Sequence, residues 1–405
     1  MAQAAQDILQ RIVDPATRAD PYPVFAELHD QPIVRLEDGS VVVGGYHDVV
    51  TLLHDPRVSI DPLSRAGADP STVVSMPMMI TSDPPAHDRL RGYLNRFFAP
   101  PESPRTVLDQ LPFIEQVTDE LLRGLPDGQA DLVDAFAYPL PVSVICHLLG
   151  VPREDEPRFR AWSSLLVGGI DKIGSGDAAD VSPESQQALF ELFDYLTHLL
   201  GAHRSAPSAC MLARMANDES AERLDDTALA ANGMLLLFAG HETTVNMISN
   251  GILTLLRHPD ELERLRADPS RVTGLVEELM RYEPAVQYSP NHWALDDFEL
   301  QGETIAKGAG VVMALAAANR DPRRFDDPDR FWPERPDNEH VSFGRGLHYC
   351  FGAPLARLQL YTALTAFAQR FEAPALVDDP PPYRESPVLR GPSSLHVSYD
   401  AILPG

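Results

Sequence analysis

The 405-residue sequence predicts an α-dominated α+β protein. Three observations carry that prediction. Helical periodicity runs through most of the chain from His87 to about Phe371. One apolar segment, about Ala228 to Leu256, is far longer than any strand. Strand-like patterns occupy only short pieces near the two ends and a zone near Trp293–Val312.

In chain order, a helix near Tyr22–His29 leads to short strands around Ile33–Leu36 and Ser40–Val43, followed by a helix at His47–Leu53. Arg65–Ile80 is rich in small residues and methionines and has no period, so it reads as a loop suited to facing a ligand. The long central helix starts near Asp225 or Asp226, either of which can cap it, and ends near Arg257, before His258-Pro259. About thirty residues at ~1.5 Å each make a rod of roughly 45–50 Å, whose middle lies deep inside a chain this size. A Pro/Asp/Arg-rich meander covers Asp321–Arg345, and the tail, Ser386–Ile402, is again β-like. No internal repeat or low-complexity linker divides the chain.

Lys plus Arg number 33 and Asp plus Glu 59, a formal net charge of −26. Nucleic acid and anionic membrane are therefore not expected as partners. Three cysteines, Cys146, Cys210 and Cys350, form neither a disulfide framework nor a CxxC metal pair, which suits a reducing, cytoplasmic setting. The N-terminus lacks the basic-then-apolar pattern of a secretory signal. The central segment carries Asn232, His241, Glu242, Asn246 and Asn250, which are too polar for a helix facing lipid.

The most informative stretch is Phe343-Gly344-Arg345-Gly346-Leu347-His348-Tyr349-Cys350-Phe351-Gly352. Glycines crowd a single cysteine, as where backbone comes close to something flat or bulky. A helical pattern opens directly afterwards at Ala353, so the free N–H groups of a helix N-terminus favour a thiolate at Cys350. Four readings compete on these residues. Cys350 is a small buried hydrophobe, part of a nucleotide loop, the nucleophile of a hydrolase with His348 as base, or a haem ligand. The nucleotide reading fails on spacing, because Tyr349 stands where GxGxxG requires glycine.

The segment resembles the haem-binding loop of the cytochrome P450 family, Phe-x-x-Gly-x-x-x-Cys-x-Gly, and Phe343, Gly346, Cys350 and Gly352 match every fixed position. Ala239-Gly240-His241-Glu242-Thr243-Thr244, midway along the long helix, resembles the family's oxygen-activation groove, where an acid–alcohol pair relays protons. By itself that motif reads as a partly exposed glutamate with two structural threonines. Glu278 and Arg281 match the family's ExxR pair, with Arg335 as its third member, in a structural role. His87 and Arg91, spaced i, i+4, match a helix that contacts the haem propionates, and His348 is a further candidate. Ala317-Ala318-Asn319-Arg320-Asp321-Pro322 resembles the strand-to-meander stretch of bacterial members. One departure is His292, where many bacterial members place a propionate-binding arginine; this implies a weaker, more pH-sensitive contact.

The resemblance implies a single cytochrome P450 domain over residues 1–405 without a fused reductase, and a monooxygenase holding haem b (iron protoporphyrin IX) with Cys350 as iron ligand. Glu242 and Thr243 would be catalytic. His87, Arg91, Ala239, Gly240, His292, Phe343, Gly346, His348, Cys350 and Gly352 would contact the cofactor. It also implies a hydrophobic small-molecule substrate, hydroxylated or epoxidised, and electrons from a separate ferredoxin with its NAD(P)H-dependent reductase. Arg89, Arg96, Arg345 and Arg357 are candidates for docking that donor. A pocket lined by Met76, Met78, Met79, Leu236, Phe238 and Val286, with the segments Phe159–Asp194, Val286–Asn291 and Leu389–Gly391, would hold the substrate. The alternatives are a peroxide-driven haem hydroxylase and a non-catalytic haem-binding protein.

Overall fold

The computed structural model describes residue 8 and residues 10–31, 33–68, 76–98, 105–174, 182–206 and 208–405. Part of the anticipated ligand-facing loop, residues 69–75, and residues 175–181 of the segment after Phe159 lie outside them. In chain order the helices are α1 (Tyr22–Asp30), α2 (Tyr46–His54), α3 (Ala86–Phe98), α4 (Leu111–Arg123), α5 (Pro139–Leu149), α6 (Glu156–Gly174), α7 (Pro183–Ser205), α8 (Met211–Ala216), α9 (Asp226–Arg257), α10 (Pro259–Ala267), α11 (Val272–Tyr282), α12 (Leu315–Ala318) and α13 (Ala353–Arg370). Short 3-10 turns punctuate them. The expected α-dominated α+β architecture is therefore present.

The residues fall into two compact units. One comprises Met1–Ser59, Thr118–Pro139 and Thr243–Gly405; the other comprises Ile60–Val117 and Leu140–Glu242. The first unit contains a five-stranded sheet in which Val41–Val43 pairs antiparallel with Ile33–Arg35 and parallel with Gly310–Met313. Ser289–Ala294 pairs antiparallel with Gly310–Met313, and Val58–Ser59 closes the far edge. Val41, Val42 and Val43 are buried on both faces, as suits β-branched residues in an inner strand. Val41 and Val43 join Val49, Leu52, Phe298, Val311, Met313 and Phe325 in one apolar core, while Val42 packs on the other face with Phe25, Leu28 and Val34. The second unit is built mainly of helices, α6 packing on α7 and α7 on α8.

The central helix α9 runs for 32 residues, roughly 48 Å. Asp225 caps it by accepting a 2.8 Å hydrogen bond from the Ala228 N–H. Pro259, lacking an N–H, follows His258 and stops it. Two of the polar residues that break its apolar run are tethers. In the second unit Asn232 accepts from the Met79 N–H (3.0 Å) and donates to the Pro77 carbonyl (2.7 Å), fixing the end of the methionine-rich segment. In the first, Asn250 donates to the carbonyls of Glu283 and Arg390 (3.2 and 3.1 Å).

The meander of the first unit wraps around one carboxylate. Glu278 is wholly buried and accepts from Arg281 (2.8 and 2.7 Å), Arg335 (3.2 and 3.3 Å), the Trp332 N–H (2.9 Å) and Asn338 (3.1 Å). The spare guanidinium hydrogens of Arg281 go to the carbonyls of Asn319, Pro328 and Arg330, and those of Arg335 to Asp326, Asp327 and Arg330. An exposed i, i+3 ion pair contributes little, but in this buried cluster each charge depends on the others. Replacing Glu278 by Ala leaves two buried guanidinium groups without their anion. The expected loss is about 3–5 kcal/mol of unfolding free energy, read as a lowered denaturant midpoint; an unchanged midpoint contradicts this account.

Candidate functional site

The position of Cys350 is set through a chain of hydrogen bonds from the meander. Asn319 donates to Ser342 Oγ (2.7 Å) and accepts from the Val341 N–H (2.8 Å), while Ser342 Oγ donates to the Met280 carbonyl (2.5 Å). Phe343 follows directly, and its carbonyl accepts from the Cys350 N–H (2.8 Å), closing the loop. Two glycines permit the turn. Gly344 and Gly346 both have positive φ (67° and 66°), and a Cβ at Gly346 would lie 2.3 Å from the Leu53 carbonyl oxygen. Cys350 is half-buried, and α13 begins three residues later with Gly352 as N-cap and Pro354 in its first turn. The thiol therefore lies beside a helix N-terminus, as anticipated. A Cβ at Gly352 would meet no protein atom within 4 Å.

Phe343 is held from the other side by a cluster that the sequence did not reveal. Arg357 donates twice to Glu277 (2.6 and 2.8 Å), and its guanidinium carbon lies 4.5 Å from the centroid of the Phe343 ring. His340 Nε2 lies 3.2 Å from the same carboxylate. Burial pushes the Glu277 carboxyl upward, but the hydrogen bonds from Arg357 and His340 outweigh it and hold the group at about 2.

Along α9, every residue from Ala228 to Leu255 is buried except Leu235, Phe238, Ala239, Gly240 and Thr243. Leu235, Ala239 and Thr243, at i, i+4 and i+8, form one accessible stripe with Ala239 its most exposed member. A Cβ at Gly240 would lie 2.9 Å from Ile145 of α5, so that glycine lets the two helices approach. Glu242 is only 2 % exposed, not the partly exposed residue that the motif alone suggests. Its carboxylate accepts a 2.5 Å hydrogen bond from Ser163, a residue the sequence reading missed. The signal was there: Phe159, Trp162, Ser163 and Leu166 share a buried face of α6, and Ser163 is the one polar member of that set. Around it, Phe159, Trp162 and Tyr195 pack edge-on or tilted, and Trp162 Nε1 donates to Glu191 (3.0 Å).

The remaining predicted residues are dispersed. His87 is buried on α3, its Nδ1 3.0 Å from Asp88 Oδ1, and Arg91 is half-buried one turn on. His292 is buried in strand Ser289–Ala294, opposite Val311, just after a register shift. His348 is half-buried in the 3-10 turn Gly346–His348. Of the expected pocket residues, Met79 and Leu236 are buried, Met76, Met78, Phe238 and Val286 are half-buried, and Val286 pairs with Leu389; the side chains of Pro290 and Asn291 lie outside the described set. Of the four arginines put forward for docking, Arg357 is engaged by Glu277, Arg345 by the Glu339 carbonyl and Arg96 by Ser220, while Arg89 is exposed.

The family model for cytochrome P450 matches residues 197–399. The chain is 40 % identical over 395 residues to a vitamin D(3) 25-hydroxylase of Pseudonocardia autotrophica, covering 94 % of each chain. It is 37 % identical over 398 residues to the cytochrome P450 monooxygenase PikC of Streptomyces venezuelae, covering 94 % of this chain and 91 % of the relative. Among solved structures, ligand-free CYP164A2 of Mycobacterium smegmatis superposes with a TM-score of 0.89 at 38 % identity, covering 97 % of this chain and all of that one. The chain belongs to the cytochrome P450 family. Within it, the protein is a monooxygenase, an enzyme class built on a haem-thiolate cofactor. The residues of the cysteine loop fit that cofactor: a half-buried thiol at a helix N-terminus and a glycine beside it that keeps the approach clear. Among the described residues, no helix is long and apolar enough to cross a membrane.

The Glu277 cluster yields a pH prediction. Its folded-state pKa lies below the ordinary carboxylate value of 4.5, so its contribution to stability is complete above that pH and is lost as pH falls toward about 2. Glu277→Gln should lose less stability than the parent across that window, measured by denaturant titrations at successive pH values. Equal losses would show that the pair does not carry this linkage.

Proposed function

We propose that this chain uses haem b, ligated by Cys350, to insert one oxygen atom from O2 into a hydrophobic small molecule by hydroxylation or epoxidation. The observation that carries the reading is the pairing, on α9, of a buried carboxylate at Glu242 with an accessible hydroxyl-bearing residue at Thr243. When bound, the haem supplies the redox chemistry of oxygen activation. The protein supplies position and protons. Cys350, beside the N–H groups opening α13, is held as a thiolate. Glu242 holds a proton and Thr243 Oγ1 passes it to the reaction side of the helix. Phe343, Gly346 and Gly352 would shape the loop against the cofactor, and Ala239 and Gly240 would contact it from α9. His87, Arg91, His292 and His348 would bind its propionates.

Half-buried Met76, Met78, Phe238 and Val286 support an apolar substrate. One relative is named polyketide biosynthesis cytochrome P450 PksS, of Bacillus subtilis, and another 6-deoxyerythronolide B hydroxylase, of Saccharopolyspora erythraea. A natural-product intermediate is the substrate class we infer. The enzyme works in the cytoplasm, its electrons delivered by a separate ferredoxin and NAD(P)H-dependent reductase. Exposed Leu347 and Tyr349 in the cysteine loop give that donor apolar ground among the engaged arginines. Proton delivery through Glu242 and Thr243 also favours the dioxygen route over the peroxide-driven one, which has less need of it.

Two variants test these roles. Cys350→Ser should abolish the thiolate-type absorption of the reduced, carbon monoxide-bound protein; its persistence would remove the ligand assignment. Thr243→Ala should retain that absorption yet divert NADPH consumption from product to peroxide, measured as product and peroxide formed per NADPH. Full coupling in that variant counts against the proton role.

A further inference from the structure

The carboxylate of Glu242 shares its burial with two other groups of the same unit. Ser163 Oγ lies 2.5 Å from Glu242 Oε1 and 2.7 Å from His241 Nε2, and His241 Nδ1 lies 2.6 Å from the Leu237 carbonyl oxygen. All three side chains are buried, Ser163 to 3 %, His241 to 5 % and Glu242 to 2 % exposure. Buried serines and threonines on helices usually return their hydroxyl to the carbonyl four residues back, as Ser249 does to Val245 at 2.8 Å. Ser163 instead spans two ionisable groups on another helix.

The hydrogens can be counted. A carbonyl only accepts, so His241 Nδ1 carries a hydrogen, and Nε2 of the neutral ring is then only an acceptor. An ionised carboxylate is likewise only an acceptor. Ser163 has one hydroxyl hydrogen, yet its oxygen makes two contacts, and each needs a hydrogen of its own. One further proton must therefore reside in the set. On Nε2 it makes an imidazolium facing the carboxylate oxygen, 3.2 Å away. On Oε1 it makes a carboxylic acid that donates to Ser163 while Ser163 donates to Nε2. The two forms have the same net charge and interconvert when two hydrogens shift along Nε2···Oγ···Oε1, with no bond between heavy atoms made or broken.

We propose that His241, Ser163 and Glu242 form a buried proton reservoir in which Ser163 is the positioning residue that passes the proton from the imidazole to the acid. This rests on Glu242 being the acid of the acid–alcohol pair and extends that role backward by one step. Glu242 releases its proton toward Thr243. The neutral His241 and ionised Glu242 left behind are recharged by one proton from water. The hydrogen-bonded bridge keeps the loaded form in place between buried faces of α6 and α9, where an ionised group without partners would be costly.

The test begins on the carbon monoxide-bound ferrous holoenzyme at neutral pH. Nitrogen-15 histidine spectra report whether His241 Nε2 is protonated, and infrared difference spectra against Glu242→Gln report a protonated carboxyl. One of the two signatures is expected. A neutral imidazole with bare Nε2 beside an ionised carboxylate overturns the reservoir, whatever any variant does. Turnover in light and heavy water then tests the passage. Ser163→Ala should slow product formation by about tenfold with a larger solvent isotope effect, its coupling to product unchanged, while Ser163→Thr, which keeps the hydroxyl, restores both. Parent-like rate and isotope effect in Ser163→Ala, with Glu242→Gln impaired, overturns the role of Ser163 and leaves the acid–alcohol reading standing. Parent-like turnover in Glu242→Gln overturns that reading and the inference with it.

Discussion

The buried carboxylate of Glu278 is the constraint on which the cysteine loop depends. Desolvating that charge is tolerable only with Arg281 and Arg335 both in contact, and two guanidinium groups bring more positive charge than one carboxylate cancels. The excess is met by the backbone carbonyls of Asn319 and, in the meander, of Asp326, Asp327, Pro328 and Arg330. An irregular segment thus acquires one conformation, because its carbonyls are the solvation shell of buried cations. From Asn319 the order passes to Ser342 and Val341, and from there to Phe343 and the Cys350 N–H. The sulfur is positioned by electrostatics that begin well away from it in sequence.

The central helix solves a different problem. A long buried helix must be mostly apolar, yet α9 carries several polar side chains along its length. Its polar residues divide by task. Asn232 and Asn250 spend their amides on the backbone of neighbouring segments, so the loop ending at Met79 and the stretch at Arg390 are fixed to it. His241 and Glu242 turn instead to Ser163. Thr243, next in sequence, falls on the accessible stripe with Leu235 and Ala239. A 100° step between successive residues is enough to put the acid in the interior and the alcohol on the open face.

Much was legible in the sequence because local rules set it. Asp225 and Pro259 marked the ends of the central helix, Ser40–Val43 marked a short strand, and the glycines around Cys350 marked a close approach of the backbone. The spacing of Phe343, Gly346, Cys350 and Gly352 was enough to indicate the family, since a loop that brings a thiol to a flat cofactor tolerates few alternatives at those points. Other features are contacts between residues far apart in the chain, and no local pattern encodes them. Nothing near Arg357 in sequence announces that it leaves the surface to bind Glu277 and cover Phe343.

The sequence by itself determined the class of protein, the long helix and the residue types required at the cysteine loop, because backbone geometry and hydrogen bonding within a segment depend on neighbours in the chain. Only the tertiary structure decided that Glu242 is buried and that Ser163 meets it together with His241. Burial and the sharing of a proton are set by which helices pack together, and that depends on the summed apolar surface of segments some eighty residues apart rather than on any one of them.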